Sequence, residues 1–488
     1  MLFNSFEFIM FLPIVFLLYW FVFRERHWQN MLVVVASYVF YGWWDWHFLL
    51  LIMLTSLCSY VSGLLLERFD GQRRKQRTIS TANIVLNLGI LGVFKYYNFF
   101  IGNLDTLLSM MGWHLDWVTM NIILPVGISF YTFQALSYTI DVYQKKLPAT
   151  HDIVEFFAYI SFFPQLVAGP IERATNLLPQ FQRERKFDYA KAVDGCRQML
   201  WGFFKKMVIA DNCAIAVNKI WAGYQDDTGF VLLIGAILFS FQIYCDFSGY
   251  SDIAIGCARL FGFNLMCNFH FPYFSRSIPE FWRRWHISLT TWFRDYIYFP
   301  LGGSRCNKKK VIRNVYIVWA VSGLWHGANW TFVCWGLYHG TLLAIYNLLG
   351  INTKYKNVVA YAHWMPNYRE MLQMILTFFL AVIGWIIFRA ETMADAISYL
   401  TILFSRSLLD IGGSIELLKG LELRQTLPAL IILILCEWIQ RDRQHALQLS
   451  GSNVITRHAW LRYILYFVLI MATISLAGTQ SEFIYFQF

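Results

Sequence analysis

The stretch FLLLIMLTSLCSYVSGLLL, residues 48–66, contains no charged side chain. A helix of this length rises roughly 28 Å, which matches the hydrocarbon core of a bilayer. The next residues, ERFDGQRRKQR (67–77), carry five basic and two acidic side chains. Because cytoplasmic loops are enriched in Lys and Arg, this order predicts a membrane-spanning helix followed by a cytoplasmic loop.

The same pattern continues through the chain of 488 residues, of which 57% are hydrophobic and only 14% are charged. A soluble domain carries about 25% charged residues. The net charge of +10 is spread over the loops, so we expect membrane lipids as partners and no nucleic acid. The composition predicts an all-α integral membrane protein of about 11–12 spans, in one domain over residues 1–488. The candidate spans are residues 6–23, 31–44, 48–66, 79–101, 118–142, 199–221, 230–244, 315–330, 331–349, 371–388, 426–438 and 463–476.

Loop charges give the predicted orientation. Residues 276–313 hold nine Lys and Arg, and residues 441–462 are also basic, whereas GNLDTLLSMMGWHLDW (102–117) and GYQDDTG (223–229) have neither Lys nor Arg. Alternation along the spans then places both termini outside the cytoplasm. The N-terminal apolar run has no basic residue before it and no cleavage site after it, so we expect a retained first span.

One charged segment stands apart, SRSIPEFWRRWHISLTTWFRDYIYFPLGGSR, residues 275–305. Ser277 and Glu280 form an S-x-x-E capping box, and Pro300 ends the predicted helix. An apolar stripe at helical spacing is formed by Trp282, Trp285, Leu289, Trp292 and Tyr296. Such a helix is typical of a membrane surface. With residues 153–167, which charge also interrupts, it is predicted to be re-entrant or interfacial.

Two histidines are candidates for a functional site. His286 lies beside the stripe, and His326 lies in an apolar segment. Ionisable groups at membrane depth are functional candidates by default, although a neutral histidine bonded to a neighbouring helix is an equal alternative. His339 and His270 complete no metal-ligand spacing, so no metal is expected.

At this point the sequence resembles the membrane-bound O-acyltransferases. The resemblance rests on WRRWHISLTTWFRDYIYFPLGG (282–303) and GLWHGANWTFVCWGLYHG (323–340), supported by LPVGISFYTFQALSYTIDVY (124–143), FFPQLVAGPIER (162–173) and YCDFSGYSDIAIG (244–256). Within the family it is most similar to the bacterial branch of alginate and peptidoglycan O-acetylation membrane proteins. The resemblance implies a ring of helices with a central tunnel in the bacterial cytoplasmic (inner) membrane, and His326 and His286 at the catalytic centre.

The resemblance also implies a cytoplasmic opening for the acyl donor and an outer funnel for the acceptor. We expect acetyl-CoA as the donor substrate rather than a carrier protein, and no bound cofactor. Arg283, Arg284 and Trp285 are predicted on the donor side, where basic residues attract an anionic donor. The ordinary positive-inside bias explains the same charges equally well.

The last ten residues, 479–488, are here called the tail. Its spacing of Phe483, Tyr485 and Phe488 is similar to the C-terminal motif of the small companion protein in the D-alanylation pathway, where the tyrosine is a proposed acyl relay. We expect Tyr485 to carry the acyl group and Phe483 and Phe488 to seat the tail. The alternative is an aromatic anchor at the membrane interface. The relay implies a separate extracytoplasmic serine esterase-like transferase that acetylates a polysaccharide.

Two other hypotheses remain open. Direct transfer with His326 as base would need no tyrosine ester. A transporter, with the histidines as proton relays, belongs to a different class; such proteins often show inverted repeats, which the sequence does not.

Overall fold

The computed structural model describes residues 1–113, 123–352, 354–361, 363–421, 423–449 and 458–484. All regular structure in these ranges is helical and none is β-strand, which confirms the predicted all-α class. The chain divides into two compact units, one of Met1–Ala192 with Cys257–Met266 and one of Val193–Gly256 with Cys267–Phe488. The prediction of a single domain stays a prediction.

The described residues of the first unit are mostly helical. Its helices are α1 (Phe6–Leu17), α2 (Arg26–Gly42), α3 (His47–Arg68), α4 (Arg73–Leu91), α5 (Tyr97–Met110), α6 (Ile128–Tyr143), α7 (Ile153–Ser161), α8 (Phe163–Leu166) and α9 (Ala174–Phe181). Asn83 of α4 donates to Ser59 Oγ of α3 at 3.3 Å and accepts from Thr139 Oγ1 of α6 at 2.9 Å. Buried hydrogen bonds of this kind hold apolar helices together where the hydrophobic effect does not.

The helices from residue 189 onward lie mostly in the second unit, although residues 189–192 and 257–260 belong to the first. They are α10 (Tyr189–Phe203), α11 (Asp211–Ala222), α12 (Gly229–Leu260), α13 (Ile278–Arg284), α14 (Ile287–Phe293), α15 (Lys308–His326), α16 (Trp330–Leu348), α17 (Tyr368–Arg389), α18 (Met393–Leu403), α19 (Ile411–Lys419), α20 (Thr426–Ile439) and α21 (Ala459–Ser475). A π-helical segment, Phe204–Ala210, joins α10 to α11, and another, Arg294–Tyr298, extends α14.

Helices α15 and α16 pack closely because glycines line their contact. A Cβ added to Gly323 would lie 2.3 Å from the carbonyl oxygen of Phe332, and one added to Gly336 would lie 2.2 Å from that of Trp319. Only glycine permits this approach of two backbones. The packing matters for the site, since α15 ends at His326.

Four helical stretches among the described residues are long and apolar enough to cross a membrane: His47–Arg68, Arg73–Met110, Gly229–Leu260 and Tyr368–Arg389. Shorter apolar helices are Phe6–Val22, Met393–Leu403, Thr426–Ile439 and Ala459–Ser475. Helix falls within each of the twelve predicted spans, but fewer of them reach full spanning length. The predicted span 230–244 is too short, because α12 continues through Asp246 and Asp252, which pair with lysines.

The predicted amphipathic helix does begin after Ser277, but it is not continuous. Ser277 caps α13 by accepting from the backbone N–H of Glu280 at 3.3 Å. The helix then breaks after Arg284, and α14 begins at Ile287. The stripe residues of 282–296 are therefore distributed over two short helices and a π-helical extension, and the segment is largely buried rather than laid on a surface.

Candidate active site

His286 lies at the break between α13 and α14, in a left-handed backbone conformation with φ of 42°. The segment that precedes α13 holds the break open. The backbone N–H of Ile287 donates to the carbonyl oxygen of Asn268, and the N–H of His270 donates to that of Arg284, both at 2.9 Å. These bonds replace helical bonds lost at the break, so a conformation unfavourable for a histidine persists.

Asn268 also fixes the His286 ring. Its Oδ1 lies 3.0 Å from His286 Nδ1 and accepts from Ser288 Oγ at 2.9 Å. Its Nδ2 donates to Ser251 Oγ at 3.2 Å, which sets the orientation of the amide. Because Oδ1 only accepts, Nδ1 of His286 carries the proton, and Nε2 of the neutral ring is the acceptor nitrogen.

His326 is the last residue of α15 and is 5% exposed. The helix stops there because Gly327 is extended, and Asn329 caps the start of α16. Three aromatic rings enclose the imidazole, with centroids 5.0, 4.9 and 5.4 Å away for Trp325, Trp335 and Phe388. The sequence predicted an apolar setting for His326, and the structure adds that it sits at a helix end, where the backbone turns.

His286 and His326 line one cavity of about 540 Å³. The Trp325 ring lies 5.9 Å from the His286 ring and 5.0 Å from the His326 ring, so one indole contacts both. Small-molecule sites commonly have volumes of about 300–1,000 Å³. The two histidines, 40 positions apart in the chain, are therefore brought to one space with room for a ligand group.

The three residues predicted on the donor side have different surroundings. Arg283 is exposed at the cavity wall and donates to the carbonyl oxygens of Asn352 and Tyr355 at 2.7 Å. Trp285 also lines the cavity and is 1% exposed. Arg284 is buried and pairs with Glu280 at 3.0 Å, so its charge is compensated within the protein.

The other two histidines of the motifs have structural partners. His339 is buried in α16, and its Nδ1 lies 3.3 Å from Trp282 Nε1, which donates to it. His270 Nδ1 lies 2.9 Å from Arg284 Nη1. Within the described ranges no three His, Cys, Asp or Glu side chains are grouped as metal ligands.

The tail approaches His286 through two aromatic contacts. Phe483 is 3% exposed, and its ring lies 5.9 Å from Phe247 and 5.0 Å from Tyr250. The Phe247 ring meets the His286 ring edge-on at 4.6 Å. Tyr485 and Phe488, the other predicted tail residues, lie outside the described residues.

Sequence reasoning missed Asn268 and Phe247. Asn268 belongs to the run NLMCNFH, where an amide between apolar residues was the only local signal. Phe247 lies in YCDFSGYSDIAIG, which contributed to the resemblance without a role for any single residue. Contacts across 18 to 39 positions in the chain do not follow from helical periodicity.

Comparison with known proteins gives consistent matches. The model of the membrane-bound O-acyltransferase family (MBOAT) matches residues 38–385. The probable alginate O-acetylase AlgI of Pseudomonas aeruginosa is 43% identical over 397 residues, which are 81% of this chain and 73% of that protein. The peptidoglycan O-acetyltransferase of Helicobacter pylori is 30% identical in an alignment that covers all of this chain and 98% of that protein. The teichoic acid D-alanyltransferase of Bacillus subtilis is 29% identical over 56% of this chain and 70% of its own length.

The family model spans both the break at His286 and the end of α15 at His326. The family model alone covers well over half of the chain. The chain is a member of the membrane-bound O-acyltransferase family.

Proposed function

We propose that this membrane O-acyltransferase moves an acetyl group from acetyl-CoA in the cytoplasm to an extracytoplasmic polysaccharide. The observation that carries the proposal is the single cavity lined by His286 and His326. The relatives named for alginate and peptidoglycan O-acetylation support an acetyl group and a polysaccharide acceptor.

His326 is assigned the role of general base. Histidine is the side chain that acts most often as general base, and it needs only to lie within hydrogen-bond reach of the hydroxyl whose proton it takes. His286 is the second group of the centre, with Nδ1 held by Asn268 and Nε2 as acceptor. A transporter does not need two such groups at one ligand-sized cavity, and the family assignment speaks for an acyltransferase.

Tyr485 is proposed as the acyl relay. A phenol with a pKa near 10 needs a base to attack a thioester at neutral pH. His326 removes the phenol proton, the phenolate oxygen attacks the thioester carbonyl, a C–O bond forms and the C–S bond breaks. The CoA thiolate then takes the proton from His326. The seating of Phe483 against Phe247, beside His286, supports a tail that reaches the centre.

The aryl ester formed on Tyr485 is activated, so the next transfer is downhill. We propose that a separate extracytoplasmic serine esterase-like protein takes the acetyl group and delivers it to sugar hydroxyls. This hand-off requires the tail on the outer side of the bacterial cytoplasmic membrane, as the loop charges predict. Arg283, exposed at the cavity wall, is proposed to attract the anionic donor from the cytoplasmic side.

The test is peptide mass mapping of the purified protein after incubation with isotopically labelled acetyl-CoA. We expect label on the peptide that contains Tyr485, and loss of that label by at least about a hundredfold in His326→Ala, because general base catalysis contributes roughly 10²–10⁴ in rate. Labelled acyl carrier protein, offered in place of acetyl-CoA, distinguishes the two donor classes.

Tyr485→Phe is the matched variant, since it removes only the hydroxyl. In cells it should abolish polymer acetylation as completely as His326→Ala does. If polymer acetylation survives in Tyr485→Phe while His326→Ala abolishes it, the relay is wrong, the tail is an anchor, and direct transfer at His326 is the mechanism.

A further inference from the structure

A buried cluster of three charges lies where the tail enters the second unit. Lys206, in the π-helical segment after α10, pairs with Asp211 and with Asp246 of α12, each at 2.8 Å. The relative exposure of the whole residue is 7% for Lys206, 1% for Asp211 and 2% for Asp246. The three residues are called the tail clamp below. None of them has a part in the chemistry proposed above.

The tail binds each member of the clamp. The backbone N–H of Ile484 donates to Asp246 Oδ2 at 2.7 Å. Ser481 donates through its hydroxyl to Asp211, and its carbonyl oxygen accepts from Lys206 Nζ at 3.2 Å. Just before the tail, the N–H of Gly478 donates to the carbonyl oxygen of Met207 at 3.0 Å, which extends the contact along the same π-helical segment.

The charges explain why the tail stays. The buried site holds two carboxyl groups and one ammonium group, so the acidic groups outnumber the basic one. Burying a carboxylate is unfavourable unless hydrogen bonds satisfy its oxygens. The Ser481 hydroxyl and the Ile484 N–H supply such donors. Without the tail both carboxylates lose a hydrogen-bond donor. The free energy lost by leaving a buried carboxylate without that donor is larger than the free energy gained from an ordinary hydrogen bond between neutral groups.

The geometry also sets the direction of the tail. Asp246 and Phe247 are neighbours in α12, so the residue that fixes the backbone of Ile484 adjoins the ring that packs on Phe483. Phe247 in turn contacts His286 at 4.6 Å. The next residue of the chain after Ile484 is Tyr485. The described part of the tail therefore ends at Ile484, which is fixed beside the ring that contacts His286.

We propose that Lys206, Asp211 and Asp246 are positioning residues that seat the tail within the same chain and so present its tyrosine to the catalytic centre. The binding of the tail by the clamp is independent of the proposed relay. Only its effect on acyl transfer rests on that proposed function.

The chain offers a matched control for the clamp. Lys205 pairs with Asp252 at 2.6 Å, one residue from Lys206 and six from Asp246 on the same two helical segments. Lys205 also donates to Ser248, and Asp252 accepts from Gln198. Both charges are inside the protein, with side-chain exposures of 3% and 13%, and Ser248 and Gln198 lie outside the tail. Removing either pair therefore leaves a buried partner charge, but of the two pairs only the clamp contacts the tail through hydrogen bonds named here.

Hydrogen exchange of the full-length protein, followed by mass spectrometry of the peptide that contains residues 479–488, tests the seating. We expect the exchange rate of the Ile484 amide to rise at least about tenfold in Asp246→Ala, which removes the hydrogen-bond acceptor of that amide. We expect a similar rise in Lys206→Met, which removes the ion pair that holds Asp246 in place. Asp252→Ala and Lys205→Met should leave that amide within about twofold of wild type. Ser481→Ala, which leaves the buried ion pairs intact, should also loosen the tail and serves if Asp246→Ala does not fold.

Acetyl transfer gives the second readout. Ser481→Ala should lower kcat for labelling of Tyr485 several-fold while KM for acetyl-CoA stays unchanged, since the tail and not the donor is displaced. Asp246→Asn, which keeps an acceptor oxygen, should retain more activity than Asp246→Ala.

The clamp is overturned if exchange of the tail is unchanged in both Asp246→Ala and Ser481→Ala, or if the Lys205 and Asp252 variants loosen the tail equally. Absence of label on Tyr485 in the wild-type protein would instead refute the relay. The exchange experiment would still decide whether the clamp holds the tail.

Discussion

At the residue scale, the informative feature is the backbone of His286. Helical spacing from Trp282 to Tyr296 predicts one continuous helix, yet the chain adopts a left-handed conformation at His286. Periodicity indicates which side chains are apolar, but it does not predict hydrogen bonds from another segment of the chain. Here the backbone and side chain of Asn268 provide those bonds. The predicted continuous helix is therefore wrong at His286, while its catalytic role stays a prediction.

Asn268 is predicted to position His286 for catalysis. Asn268→Ala removes the acceptor that fixes the tautomer and the ring, so we expect kcat for acetyl transfer to fall about ten- to a hundredfold, as is typical when a partner that orients a catalytic histidine is lost. Initial rates with labelled acetyl-CoA measure the effect.

Ser288→Ala is the control for Asn268, because it removes one hydrogen bond to the same amide and a longer 3.4 Å contact with His286 Nδ1, and it leaves the 3.0 Å contact between Asn268 and His286 in place. It should retain at least about half of the rate. If the two variants lose the same fraction of the rate, the loss reflects general destabilisation of this region. That result would contradict a positioning role for Asn268.

At the element scale, helix positions were easier to predict than helix ends. Apolar runs predicted the positions of the helices, because helix faces in contact with lipid and with the protein core are both rich in apolar residues. The predicted span 230–244 stops short of the end of α12, which continues through Asp246 and Asp252, and both carboxylates pair with lysines from the π-helical segment. A charged residue in an apolar helix indicates the end of a span only when no residue of opposite charge lies beside it. Such ion pairs form on folding and cannot be read from the sequence of one helix.

The glycines between α15 and α16 give a prediction at this scale. Gly336→Ala places a methyl group 2.2 Å from the carbonyl oxygen of Trp319, so the two backbones must separate. We expect a loss of about 1–3 kcal/mol in stability, seen as a lower Tm in detergent, together with lower activity because α15 carries His326.

Gly340→Ala is the matched variant on α16. Its nearest neighbour would be the Cβ of Trp319 at 3.2 Å, a side-chain atom and not backbone. Its Tm should fall clearly less than that of Gly336→Ala. A larger effect at Gly340 than at Gly336 would mean that backbone contact does not set the distance between these helices.

At the scale of the whole molecule, composition and motifs were sufficient for the fold class and the family, and the matches to known proteins confirm both. The pairing of His286 with His326 in one cavity was predicted only through the resemblance. The tail clamp was not predicted at all, because its members lie in different apolar segments and its partners Ser481 and Ile484 lie more than 230 positions away from Asp246 and Asp211. Local sequence patterns do not predict contacts between residues so far apart in the chain.

Orientation in the membrane is the prediction on which the direction of acyl transfer depends. Both termini should lie outside the cytoplasm, and the loop at 67–77 inside, because its basic residues resist translocation. Alkaline phosphatase fused after residue 488 should be active in cells, and the same enzyme inserted after Gly71 should be inactive. Gly71 is a suitable site, since it is an exposed turn with open space around it. Green fluorescent protein at the same two positions should give the opposite pattern, bright at 71 and dark after 488. The reverse result would place Tyr485 on the donor side. A tyrosine ester would then form without crossing the membrane, and the hand-off to an extracytoplasmic transferase would have to be abandoned even if label reached the tail.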